Sequence, residues 1–125
     1  MMNDGRFPDS FCPKFHKSVE LIGRRWTGAI LRALLSGETR FSDIAHAIPG
    51  LSDRLLSERL KELEAEDVVT RVVYPETPVR IEYHLTEKGQ DLSMVVEAIS
   101  DWSARWACED AAATANPELV VVGAN

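Results

Sequence analysis

The sequence predicts a mainly α fold of the α+β kind: short amphipathic helices in series, with one β-hairpin before the last. Three observations predict it. Apolar residues recur at helical spacing before residue 66 and after residue 86, in runs cut by glycine and proline. The period falls to two between Val79 and Leu85. The third and fourth helical runs are joined by only a few residues around Pro49-Gly50, which makes a helix-turn-helix connection.

The elements follow in chain order. Residues 1–11 are polar, with Gly5 and Pro8, and read as an N-terminal arm. Pro13 suits the first turn of a helix, whose face is Phe15, Val19 and Ile22 and which ends at Gly23. Trp26, Ile30 and Leu34 repeat the spacing, and Leu31 and Leu35 widen the stripe as far as Ser36-Gly37, so the second helix is central. Ser42 is the expected N-cap of the third helix, with Asp43 in its first turn and Ile44, Ala45 and Ile48 as its apolar face. Ser52 caps the fourth, which turns Leu56, Leu60 and Leu63 inward. Residues 68–74 are largely β-branched. Val79, Ile81, Tyr83 and Leu85 then alternate with Arg80, Glu82 and His84, and the loop between holds Pro75 and Pro78; this is a hairpin. Thr86 is expected to cap a single last helix carrying Leu92, Val95, Val96, Ile99, Trp102 and Trp106. One domain over residues 12–107 and a tail over 108–125 complete the division.

Composition narrows the function. A chain of 125 residues, 45% apolar, buries roughly two thirds of its unfolded surface and needs neither disulfide nor metal to fold. No apolar run approaches the roughly 20 residues that span a bilayer, and no basic leader with an apolar run precedes Pro8. A cytoplasmic location without a membrane partner is expected, with Cys12 and Cys108 as thiols. The net charge of −6 opposes phosphate binding, but it is unevenly spread. Residues 1–40 carry seven basic and four acidic side chains, residues 41–90 six and ten, and residues 91–125 one and six. A surface for nucleic acid must therefore be assembled from scattered Arg and Lys.

A helix-turn-helix followed directly by a hairpin reads as a winged helix-turn-helix. With its leucines buried, the fourth helix presents Ser52, Asp53, Arg54, Ser57, Glu58 and Lys61. A helix about 10–12 Å wide fits the major groove of DNA. Arg54 and Lys61 can donate to guanine or phosphate, Ser57 to either, and Glu58 can accept from cytosine. Arg40, Arg71 and Arg80 are candidate phosphate ligands, which position a protein without specifying sequence. Charged helix faces are commonly no more than solvated, and Glu58 could simply pair with Lys61 or Arg54. The hairpin beside this one tips the balance towards double-stranded DNA.

The last helical stripe, with two tryptophans, exceeds what one domain needs to cover. Together with Phe11, Phe15 and Val19, the residues Val95, Ile99, Trp102 and Trp106 are read as N- and C-terminal helices forming a dimer interface. A two-fold dimer would set two recognition helices roughly 34 Å apart, on successive major grooves.

The same residues carry a resemblance. Cys12-Pro13, Ile22-Gly23-Arg24-Arg25-Trp26-Thr27, Arg40-Phe41-Ser42-Asp43-Ile44, residues 48–56, Arg59-Leu60-Lys61-Glu62-Leu63-Glu64 and the run from Val73 to Thr86 resemble the HxlR-type regulators, distant relatives of the MarR class. The similarity runs from about Cys12 to Trp102. It implies a dimeric winged-helix transcription factor whose first and last helices build the dimer. It also implies a role for Cys12, because members that sense oxidants or electrophiles carry a reactive cysteine before proline. Cys108 is the candidate partner thiol from a second subunit. Two departures stand out: Asp67 replaces the usual glycine after the recognition helix, and Arg24-Arg25 replaces Gly-Lys before Trp26.

Other chemistries find less support. Gly23, Gly28 and Gly37 follow no phosphate-loop spacing, and no Ser/His/Asp set has a motif context, so neither an enzyme nor a cofactor is expected. Cys12 and His16 share a helix face, and Cys108 could add a third ligand, but one pair is not a metal site. The expected function is a homodimeric regulator on a palindromic operator, responding through Cys12 or through a small-molecule inducer at the dimer interface. A protein-interaction module and a metal-responsive regulator are the alternatives.

Overall fold

The computed structural model describes residues 10–107. The chain divides into two compact units, Met1–Gln90 and Asp91–Asn125. The first holds four helices, α1 (Pro13–Ile22), α2 (Thr27–Leu35), α3 (Phe41–Ala47) and α4 (Asp53–Ala65). They are followed by the strands β1 (Val69–Tyr74) and β2 (Arg80–Leu85) and a single-turn helix α5 (Glu87–Gln90). The second unit holds α6 (Ser93–Ala107). No helix among the described residues is long and apolar enough to cross a membrane.

The core of the first unit is the set of stripes the periodicity marks. Ile30 and Leu31 of α2, Ile44 of α3, and Leu56 and Leu60 of α4 have no exposed surface, with Leu63, Val68 and Val69 nearly so. Burying such a side chain stabilises by about 1.5–3 kcal/mol. That outweighs the poor intrinsic stability of α3, whose seven residues are too few to hold a helix alone.

Helix ends are set by local chemistry. Pro13 stands in the first turn of α1, and Cys12 caps it, its Sγ accepting from the Phe15 amide at 3.5 Å. Ser52 Oγ accepts from the Leu55 amide at 3.1 Å, as its position before the leucine stripe requires. Helices α2 and α4 end in the same motif. After α2, the Glu38 and Gly37 amides donate to Ala33 and Leu34, with Gly37 at φ +105°. After α4, Val68 and Asp67 donate to Leu63 and Glu64, with Asp67 at φ +62°.

Two expectations are corrected. Ser42 does not cap α3. The cap position is Arg40, in extended conformation and with no side-chain hydrogen bond. The cause is the sheet: the Tyr83 amide donates to the Thr39 carbonyl at 2.8 Å, and Arg40 bridges Glu82. Residues 39–40 thus add a third, minimal strand to the hairpin and pass straight into the helix at Phe41. Nor is the last helix a single one. Thr86 Oγ1 accepts from the Gly89 amide at 3.1 Å, and so caps the short α5. The position of α5 is set at the hairpin base, where a side chain on Gly89 would collide with the Val68 carbonyl and Lys88 Nζ donates to the Glu66 carbonyl at 2.7 Å. Leu92 lies just before α6, and the apolar stripe from Val95 onwards belongs to that helix.

Strands β1 and β2 pair antiparallel, from Val69 opposite Leu85 to Tyr74 opposite Arg80. The connection at the tip includes a cis Thr77-Pro78 bond. The sheet is small, yet the third segment makes it a wing anchored beside α3.

Candidate nucleic-acid interface

The buried leucines of α4 fix which of its residues meet solvent. Ser52, Asp53, Arg54, Glu58 and Lys61 are exposed, and Ser57 is half-buried. Spacings of three and four residues bring Arg54, Ser57, Glu58 and Lys61 onto one side of the helix. Among the described residues, Arg54 and Lys61 take part in no ion pair, and neither do Arg40 and Arg71. Glu58 pairs with neither cation, although it lies four residues from Arg54 and three from Lys61. These cations are therefore open to an external anion.

Other arginines are occupied. Arg59, eleven per cent exposed at its side chain, donates from Nε to the Arg25 carbonyl at 2.9 Å and from Nη1 to Glu62 at 3.1 Å. Glu62 also meets Arg24 at 3.3 Å. This network ties the third turn of α4 to the joint between α1 and α2. At that joint Trp26 sits at φ +77°, a strained conformation for a bulky residue. Its half-buried ring reaches the Pro49–Gly50 turn, within 3.5 Å of where a Gly50 side chain would begin. The network is not legible in the sequence, since nothing in a run of Arg and Glu tells which pairs across 34 residues.

The hairpin separates its two arginines. Tyr74 pairs with Arg80 and Arg71 with Tyr83, and side chains alternate along a strand, so Arg71 and Arg80 stand on opposite faces. Arg71 is exposed. Arg80 meets Glu76 at 3.1 Å and Glu82 at 3.3 Å, and lies over the Tyr74 ring, 4.2 Å from its centroid. Between the wing tip and the start of α3 lies a cleft of about 450 Å3, lined in part by Arg40, Ser42 and Thr77.

The expected interface residues are placed less completely. In α1, Phe15 and Val19 are exposed, as is Phe11 just before it. In α6, Val95, Ile99, Trp102 and Trp106 are exposed, the two tryptophans by about two thirds. Cys12 is half-buried. Cys108 lies outside the described residues. His16 lies 3.6 Å from Glu20, and among the described residues no three His, Cys, Asp or Glu side chains gather as a metal site.

An exposed helix face with open cations, beside a wing, is the geometry of the helix-turn-helix regulators, and residues 21–111 match the family model described as HxlR-like helix-turn-helix. The chain belongs to the HxlR family. It is 55% identical over 95 residues to the HTH-type transcriptional regulator YvaP of Bacillus subtilis, covering 76% of this chain and 88% of that protein. It is 44% identical over 101 residues to YodB of the same organism, covering 81% and 89%. The reduced form of YodB superposes with a TM-score of 0.68, over 77% of this chain and 94% of that one. YodB is also solved diamide-treated and quinone-bound. The redox regulator HypR in its reduced form, 31% identical, gives 0.70 over 78% and 98%. As a member of the HxlR family, the chain is a winged-helix transcriptional regulator with a DNA-binding helix-turn-helix, and its relatives are regulators rather than enzymes.

Proposed function

We propose that this HxlR-family chain is a homodimer that binds a palindromic operator through α4 and changes its affinity when Cys12 is oxidised or attacked by an electrophile. The observation that supports it most is the outer face of α4, where Arg54 and Lys61 form no ion pair among the described residues, beside a wing that offers Arg71. Arg54, Ser57 and Glu58 read bases near the start of the helix. Ser52 and Asp53 hold its first turn, and Lys61, Arg40 and Arg71 hold phosphates. The apolar faces of α1 and α6, exposed in the single chain, each meet a second copy; leaving two tryptophans in water is otherwise unfavourable.

Cys12 suits the switch by position. It caps α1 through Sγ, so any chemistry at the sulfur alters the end of a helix in the proposed dimer interface. The relatives point the same way, YodB being solved after diamide and with quinone, and HypR in reduced and oxidised forms. Diamide would take two electrons and two protons from two thiols, Cys12 of one subunit and Cys108 of the other, leaving a disulfide. A small apolar inducer at the dimer interface is the second input.

The test is binding of the purified protein to the DNA upstream of its own coding sequence, reduced and diamide-treated. An affinity that changes with diamide, returns with dithiothreitol and ceases to respond in Cys12→Ser supports the thiol switch. Binding indifferent to diamide removes the switch and leaves the regulator, with the inducer as its input. A monomer in sedimentation at binding concentrations contradicts the dimer.

A further inference from the structure

We infer that Arg80 is a positioning residue that braces the wing, and that Arg71 alone is the phosphate ligand of the hairpin. This rests on the DNA-binding reading above. The two arginines share a hairpin but not a face, because Arg71 pairs with Tyr83 whereas Arg80 pairs with Tyr74. One surface laid on the DNA backbone meets one of them.

The contacts decide which. The Arg80 side chain is 28% exposed and has two carboxylates, Glu76 at 3.1 Å and Glu82 at 3.3 Å. Its Nε faces Glu82 outside hydrogen-bond geometry, so that contact is ionic only. The Tyr74 ring covers one face of the guanidinium. A phosphate arriving here would have to displace a carboxylate from a charge already balanced. The contacts also span the wing: Glu76 stands in the tip loop, Tyr74 ends β1, and Arg80 begins β2. Glu82, with its side chain only 13% exposed, continues the line. His84 Nε2 lies 2.9 Å from its other oxygen, and its backbone bridges Arg40, just before α3. Arg80 thus links the wing tip to the strand edge that holds the helix-turn-helix, which a planar, forked cation can do and a point charge cannot.

The two roles predict different salt dependences. Full-length protein is titrated with a short mixed-sequence DNA duplex over a range of salt concentrations. Arg80→Gln weakens binding about tenfold, the combined effect of two ion pairs and one stacked ring, and leaves the slope of log affinity against log salt unchanged. Arg80→Lys fails to rescue it. Glu82→Gln weakens binding as well, and the double variant is no worse than either single one. Arg71→Gln lowers the slope by about one.

The brace is overturned if Arg80→Gln lowers the salt slope, if Arg80→Lys binds like the wild type, or if Glu82→Gln tightens binding by freeing Arg80. Hydrogen exchange of the free protein tests it without DNA. Arg80→Gln speeds exchange of the amides of residues 72–82 while α2 and α4 remain protected, and unchanged wing exchange overturns the brace. Wild-type protein that binds no duplex contradicts the DNA-binding reading instead, and the exchange result then judges the brace by itself.

Discussion

The Arg59 guanidinium reaches from the recognition helix to the carbonyl of Arg25, 2.9 Å away and 34 residues earlier in the chain. Its other arm holds Glu62, and Glu62 holds Arg24. The turn that carries Trp26 is thereby fixed to the same helix that is proposed to face the DNA. Any tilt of α1 is resisted at α4 by this contact, since α1 ends at Ile22, immediately before the joint.

Arg59→Ala therefore costs about 0.5–1.5 kcal/mol of stability, because it removes the hydrogen bond to the Arg25 carbonyl and leaves Glu62 with one cation in place of two. Urea unfolding followed by circular dichroism would show a lower midpoint with an unchanged slope. A midpoint equal to that of the wild type would mean that water replaces the guanidinium without loss.

The end of α4 offers a stabilising change. Asp67 and Gly37 occupy equivalent left-handed positions in the same terminating motif. Glycine adopts that conformation without the side-chain clash that aspartate bears. Asp67→Gly raises stability by about 0.5–1 kcal/mol, read as a higher thermal midpoint, while DNA affinity is unaltered.

Much of this fold is legible in the residues, and the failures have physical causes. The stripe Leu56, Leu60, Leu63 defines the inner face of α4 because a three-to-four spacing has only one helical reading, and Ser52 marks its start. The cap of α3 is not legible. Ser42 has the right chemistry, but Thr39 and Arg40 are held extended by Tyr83 and Glu82, some forty residues on, and a one-residue bridge leaves no alternation to detect. The start of α6 is hidden for a related reason, as the close approach of Gly89 to Val68 that places α5 looks like an ordinary helix interior.

The proposed interface was half legible. The exposed residues of α4 follow from its buried ones. The difference between Arg71 and Arg80 does not, because it depends on the hairpin register and so on how many residues the loop between Tyr74 and Arg80 takes. The ties of Arg59 to Arg25 and Glu62 depend likewise on packing that no local pattern reports.

The core can be probed at Leu60, which has no exposed surface. Leu60→Ala costs about 2–5 kcal/mol, since a close-packed core cannot collapse fully into the space. Thermal unfolding would then fall by many degrees, and the variant would lose DNA binding only as it unfolds.

On the outer face of α4, two substitutions should separate position from sequence. Lys61→Ala weakens binding to all duplexes alike and lowers the salt slope by about one. Arg54→Ala costs about 1–3 kcal/mol on the preferred site and relaxes the preference at one position of each half-site. Parallel titrations against matched and altered duplexes would tell the two effects apart.

The most direct measurement is a selection of duplexes from a random pool by the reduced wild-type protein, repeated with Arg54→Ala. The expected product is an inverted repeat whose half-sites lie about one helical turn apart, with information lost at one symmetric pair of positions in the variant. Enrichment of the same repeat at the same affinity by Arg54→Ala, or no enrichment by the wild type, would contradict the claim that α4 reads the operator.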